Sequence, residues 1–151
     1  MTTLLQQLKY EEGLRLKTYF CPAGFPTIGY GHNLKARPWL NGAAIPDEIT
    51  ADFADALLQS DILKTRKDLE REWPQIMLLS QPRIDACVNM AFQLGVKGFM
   101  DFIKLRRALS AGMWQEAHDQ ALNSAWAQQT PERTHRVAGQ LLTGEYYEVP
   151  T

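Results

Sequence analysis

The chain has 151 residues, 45% of them hydrophobic and 22% charged, the proportions of a globular protein with room for one substantial core. A net charge of −1 excludes a strongly basic nucleic-acid binder and gives no overall attraction to an anionic polymer. Two cysteines outside any CxxC pair, Cys21 and Cys87, exclude a disulfide framework and a structural zinc site, and suit a reducing compartment.

The opening MTTLLQQLKYEEG has no basic n-region, long apolar run or small-residue cleavage site, so no export signal is expected. No segment is apolar enough to span a bilayer. Residues 3–12 read as a short helix capped by Thr2 or Thr3, with Leu4, Leu5 and Leu8 on one face and Gly13 as its stop. Residues 17–37 alternate, carry β-branched and aromatic residues and hold Gly24, Gly29 and Gly31, which predicts a small β-hairpin region. Within it, Cys21-Pro22-Ala23-Gly24 has turn chemistry.

Residues 38–49 read as a loop rich in Pro, Gly and Asn. Thr50 caps a long helix with Asp52 in its first turn and Phe53, Leu57, Leu58, Ile62 and Leu69 at helical spacing; Pro74 follows its end. Pro82 opens another helix carrying Ile84, Cys87, Val88, Ala91 and Phe92, closed by Gly95. Further helices are expected near 99–110, 113–124 and 131–141. There is no internal repeat. The order implies an α+β fold: a small β-containing lobe over about 13–60, and a larger helical lobe from about 1–12 and 61–151. The long helix from Thr50 would join the two lobes beside a cleft.

Three features carry chemistry. On a helical wheel Glu12 lies about 33° from the mean direction of Leu4, Leu5 and Leu8, and Glu11 about 67°, so Glu12 is expected nearer the apolar face. Partial burial, the negative end of the helix dipole and the neighbouring Glu11 would all raise its pKa, as suits a general acid. The second feature, Thr27-Ile28-Gly29-Tyr30-Gly31-His32, is either an ordinary glycine-containing strand or a place where backbone closely approaches a ligand. In the third, Thr130 forms an N-cap and Pro131 the first helical residue. Arg133 then sits against the local helix field, which suggests a distant carboxylate partner such as Glu12. By contrast Lys104, Arg106 and Arg107 read as a solvated face. No ligand cluster calls for a metal or cofactor.

Taken together, Glu11-Glu12-Gly13-Leu14-Arg15-Leu16-Lys17, Tyr19 and the stretch Thr27 to His32 resemble the phage lysozymes of glycoside hydrolase family 24, the T-even phage type. The resemblance continues through Asn89-Met90-Ala91-Phe92-Gln93-Leu94-Gly95, Trp114 to Ala117, Gln129 to Arg133 and Thr143-Gly144, over nearly the whole chain. It implies a lysozyme-like fold and a muramidase that hydrolyses the β-1,4 bond between N-acetylmuramic acid and N-acetylglucosamine by inversion. The alternative is a weakened peptidoglycan-binding module, because the family's Glu, Asp and Thr fall here on Glu12, Cys21 and Thr27. A Cys21–His32 amidase or peptidase is a further alternative of a different class.

By the same resemblance Glu12 is the acid, Thr27 positions the attacking water, and Cys21 takes the place of the missing carboxylate. Asn33, Phe92, Gln93, Phe102 and Gln120 would contact sugar, and His32 would pair with Asp61. Trp39 and Trp73 are candidate stacking platforms, whereas Trp114, Trp126 and Cys87 read as core. The implied partner is bacterial peptidoglycan, met by a monomer. It would wait in the host cytoplasm until a separate membrane-permeabilising protein gave it access to the periplasm and wall.

Overall fold

The computed structural model describes residues 2–34 and 47–150. Thr3, in extended backbone, opens α1 (Leu4–Glu12) with a capping box: its hydroxyl accepts from the Gln6 amide while the Gln6 side chain accepts from the Thr3 amide. Gly13, at φ 68°, ends the helix as expected. Strands β1 (Arg15–Phe20), β2 (Pro26–Gly29) and β3 (His32–Asn33) form an antiparallel sheet in the order β1-β2-β3. The first strand begins earlier than the alternation implied, because Arg15 already pairs with Gly29, and Ile49 donates to the Leu16 carbonyl at 2.9 Å. The turn after β1 forms as read: Gly24 N–H donates to the Cys21 carbonyl at 2.8 Å, and Cys21 N–H to the Phe25 carbonyl at 2.9 Å. Trp39 and most of the loop expected over 38–49 lie outside the described residues.

Thr50 caps α2 (Ala51–Glu72) by accepting from the Phe53 amide, and a 3-10 helix (Pro74–Leu78) follows. Pro82 lies in the first turn of α3 (Gln81–Met100), where regular helix geometry breaks at Gly95, φ 80° and ψ 155°. The helix expected over 99–110 is interrupted around Phe102, whose ψ of 66° is not helical, so α4 spans Ile103–Ser110. Then come α5 (Trp114–Leu122), a short α6 (Ala125–Gln129) that no sequence signal singled out, and α7 (Pro131–Thr143). Seven α-helices and a three-stranded sheet among the described residues make a lysozyme-like α+β fold.

Buried apolar residues form two clusters. Ile28, Leu34, Ile49 and Ala54 make a small one under the sheet. A larger one joins Leu4 and Leu8 of α1, Leu58, Ile62 and Leu69 of α2, and the inward faces of α3 to α7. Helix α2 thus contributes Ala54 to one cluster and its later turns to the other, and partly buried Tyr30 packs against both. Phe53, expected inward, is 39% exposed because it sits on the first turn, ahead of the buried stripe. Cys87 is fully buried, and burial holds its thiol far above the ordinary range. Among the described residues no helix is long and apolar enough to cross a membrane.

After Gly144, in the left-handed conformation at φ 74°, the chain runs back towards α1. Gln7 donates to the Tyr147 carbonyl at 3.0 Å and Thr2 bonds Glu148. Arg83 closes the end of α7, donating to the Leu141 and Leu142 carbonyls at 2.8 and 2.9 Å while its guanidinium stacks 3.7 Å from the Trp114 ring.

Candidate active site

Helix α1 delivers two adjacent carboxylates to different surroundings. Contrary to the wheel argument, Glu11 is the more deeply buried, its side chain 3% exposed against 19% for Glu12. A wheel records only the helix's own apolar stripe, whereas Glu11 is covered by Arg136 and Tyr147 from far along the chain. Arg136 grips Glu11 with two bonds, 2.7 and 3.0 Å, and the Tyr147 hydroxyl donates at 2.7 Å. Burial pushes the Glu11 carboxyl up, but these donors and the nearby charges of Arg133 and Arg136 outweigh it and hold it below its ordinary value.

Arg133 is the partner of Glu12. Its Nη1 donates to Glu12 Oε1 at 3.1 Å, and the guanidinium is only 8% exposed. The rest of the fork is bound to Asn89: Nε and Nη2 reach its side-chain oxygen at 3.2 and 2.9 Å, and Nη2 its backbone carbonyl at 3.3 Å. An arginine placed unfavourably at a helix start is thus balanced by acceptors from α1 and α3. Thr130 departs from its expected role. It stands at the N-cap position, but its hydroxyl makes no cap bond; it accepts from Gln93 Nε2 at 3.2 Å and bonds the Trp126 carbonyl.

Glu12 faces a cleft of about 290 Å³ shared with Gly31, Asn33, Phe92, Gln93, Leu94 and Gly95. Gly31 is the close approach that the double-glycine segment offered: its φ is +68°, and a Cβ there would lie 2.9 Å from Glu12 Oε2. Phe102 and Gln120 do not share this cleft. They line a second cavity of about 390 Å³ with Asp101, Lys104, Asn123 and others, because they come from the α4 entry and α5 rather than from α3. Trp126 joins the two places: its indole N–H donates to Gln93 Oε1 at 2.8 Å, and its ring meets Phe102 edge-on at 6.3 Å.

The sheet aligns the remaining candidates. Thr27 pairs with Tyr19 on one side and Asn33 on the other, placing the three in a row across the strands. Thr27 is buried, its hydroxyl donating to the Phe25 carbonyl at 2.9 Å. Cys21 stands at the turn just beyond Phe20, its sulfur beside the backbone amides of Phe25, then of Ala23 and Gly24. They hold the thiol below its ordinary value, with desolvation opposing. Tyr19 lies within electrostatic reach of both Glu12 and Cys21: burial first, then those two charges, keeps its hydroxyl above its ordinary value.

His32 Nδ1 and Asp61 Oδ2 lie 2.6 Å apart, both buried, linking β3 to α2. Trp73 is 4% exposed, a core residue rather than a stacking platform; its edge of the core is shared with Phe99, ring centroids 5.8 Å apart. Trp126 is likewise buried, and Trp114 partly so. In the expected solvated face, Arg106 is instead tied to the Met100 carbonyl at 2.7 Å. Asn89, Tyr147, Trp126 and Tyr19 were not singled out as site residues. Asn89 carried a signal, a polar residue on an otherwise apolar helix face; Tyr147 carried none, because the partners of its hydroxyl are more than fifty residues away in sequence.

Comparison with known proteins agrees with this geometry. The phage lysozyme family profile matches residues 9–142. The chain is 33% identical, over 94% of its length, to the pre-baseplate central spike protein Gp5 of Enterobacteria phage T4, of whose length it spans 28%. It is 29% identical to the protein named "Probable T4-type lysozyme 1" of Dictyostelium discoideum, over 95% of this chain and 96% of that one. With the endolysin of Salmonella phage P22 it shares 35% identity over 76% of this chain and 75% of that one. A match running from α1 through α7, across every element that shapes the Glu12 cleft, places the chain in the phage lysozyme family.

Proposed function

We propose that the protein is a lysozyme acting on bacterial peptidoglycan, an inverting muramidase that hydrolyses the β-1,4 bond between N-acetylmuramic acid and N-acetylglucosamine. The observation that carries this reading is a Glu12 carboxylate held by Arg133 at the wall of a cleft lined by Asn33, Phe92 and Gln93. Inversion needs an acid on the leaving oxygen and a base for water on the opposite face, roughly 6.5–9.5 Å apart to admit that water. Glu12 donates its proton to the glycosidic oxygen, and Arg133 then stabilises the carboxylate that remains. On the other face the Thr27 hydroxyl positions water, and Cys21, as thiolate, accepts the proton that water loses as it attacks the anomeric carbon. The backbone amides beside the Cys21 sulfur, which hold its thiol below the ordinary value, support this assignment over a space-filling role. The groups that depress it are backbone amides, not an imidazole, while His32 is engaged with Asp61, which argues against a Cys–His peptidase.

Phe92 offers a face for a sugar ring, and Gln93, fixed by Thr130 and Trp126, offers amide groups for its hydroxyls and acetamides. Phe102 and Gln120, in the adjoining cavity, extend the glycan contacts beyond the cleft. In this role the protein acts as a monomer, waits in the host cytoplasm, and reaches the wall after a separate protein permeabilises the membrane, so that the cell lyses. The test is Glu12→Gln in the full chain with permeabilised Gram-negative cells and purified wall. Loss of clearing and of new reducing sugar ends is expected, with thermal unfolding still cooperative. Cleavage at an unchanged rate overturns the reading.

A further inference from the structure

The segment that follows α7 reaches the acid from behind. Tyr147 is held along its backbone: Gln7 donates to its carbonyl at 3.0 Å, and its own amide donates to Gln140 Oε1 at 3.2 Å. The same Gln140 oxygen accepts from Gln7 at 2.8 Å. The phenol is thereby delivered between Glu11 and Asn89. Its hydroxyl has one proton to give. A carboxylate only accepts, so that proton goes to Glu11, at 2.7 Å. The oxygen must then accept from Asn89 Nδ2, at 3.0 Å. This anchors the NH₂ side of the Asn89 amide. With its NH₂ on Tyr147, its oxygen is turned to Arg133, where it accepts from both Nε and Nη2. With those groups engaged, Nη1 is aimed at Glu12.

We propose that Tyr147 is a positioning residue for Glu12, fixing through its hydroxyl the orientation of the Asn89 amide and, through Arg133, the direction of the acid's carboxylate. The inference rests on the assignment of Glu12 as proton donor. Removal of the hydroxyl leaves Asn89 Nδ2 without this acceptor, and the amide is then held at its oxygen alone, by Arg133. An amide anchored on one side tilts and carries the guanidinium, and with it Nη1, off its line to Glu12. Burial, then the bond to Glu11, keeps the phenol protonated well above the ordinary tyrosine range, so the relay holds at any pH at which the enzyme would work.

A neighbour supplies the control. Tyr146, on the same segment, donates to Asp85 at 2.5 Å, in a cluster with Arg66 and Gln81 that does not include Arg133. Tyr147→Phe and Tyr146→Phe each remove one hydroxyl from the strap, but only the first interrupts the relay. Initial rates on soluble wall glycan, measured well below the unfolding temperature of every variant, give kcat and KM separately. Tyr147→Phe is expected to lower kcat roughly tenfold with KM within about twofold, since misplacement of an acid by under 1 Å acts on the reaction step. Tyr146→Phe is expected to keep kcat even if it lowers Tm. An unchanged kcat in Tyr147→Phe, or an equal fall in both variants, overturns the proposal. Run alongside, Glu12→Gln separates the two claims: its full activity would overturn the assignment of the acid and this proposal with it. Its inactivity beside a normal Tyr147→Phe would overturn this proposal alone.

Discussion

Gly31→Ala separates two reasons why a glycine faces the acid. Its φ of +68° lies where an L-residue costs about 1–2 kcal/mol. A methyl group there would also stand 2.9 Å from Glu12 Oε2 and 3.2 Å from its carboxyl carbon. Gly112, between α4 and α5, has nearly the same φ, +70°, but its Cβ would meet only Trp114 at an ordinary 3.8 Å. Both substitutions should therefore lose about 1–2 kcal/mol, which in a domain of this size lowers Tm by about 2–8 °C. Only Gly31→Ala must also push the Glu12 carboxylate aside by several tenths of an ångström. A 1 Å misplacement can cost about a hundredfold, so a shift of half that predicts roughly a tenfold loss of rate. Calorimetry gives the common stability term, and release of reducing ends from wall at a temperature where both variants are folded gives the specific one. Equal rates in the two variants would refute the claim that backbone at Gly31 sets the position of the acid.

The other predictions concern ionisation. Glu11 titrates below its ordinary value of 4.5 in the folded chain, so its stabilising contribution is complete above that pH and fades as pH falls through the folded value. The stability advantage of the native chain over Glu11→Gln should be level near neutrality and shrink below about pH 4.5; urea unfolding at pH 7 and pH 3 checks this, and a gap that widens in acid contradicts it. For Cys21, alkylation by iodoacetamide should reach half its maximal rate below pH 9.0, with Cys87 silent because it is buried. A midpoint at or above 9.0 would remove the case for a thiolate. In parallel, Cys21→Asp should keep cleavage, while Cys21→Ala falls by about a hundredfold if a base is lost; equal rates for both would leave the thiol without a role.

Local chemistry wrote much of this protein into its sequence. Thr3 and Thr50 start helices because a hydroxyl one residue ahead of an apolar repeat satisfies an exposed amide, whatever the rest of the chain does. Gly13 and Gly95 end regular helix because their positive φ suits glycine above other residues. The pairing of Arg133 with Glu12 could also be anticipated, since a cation at a helix start is left to find a carboxylate. Three features were decided only when distant segments met. Glu11, not Glu12, is the more buried acid, because Arg136 and Tyr147 arrive from more than a hundred residues away to cover it. Thr130 leaves its cap to hold Gln93, and Phe102 and Gln120 turn to a cavity apart from the cleft. Periodicity and capping are properties of neighbours in sequence, and they fix the elements. The field around a carboxylate and the wall of a cleft belong to neighbours in space, and in this protein only packing brings those together.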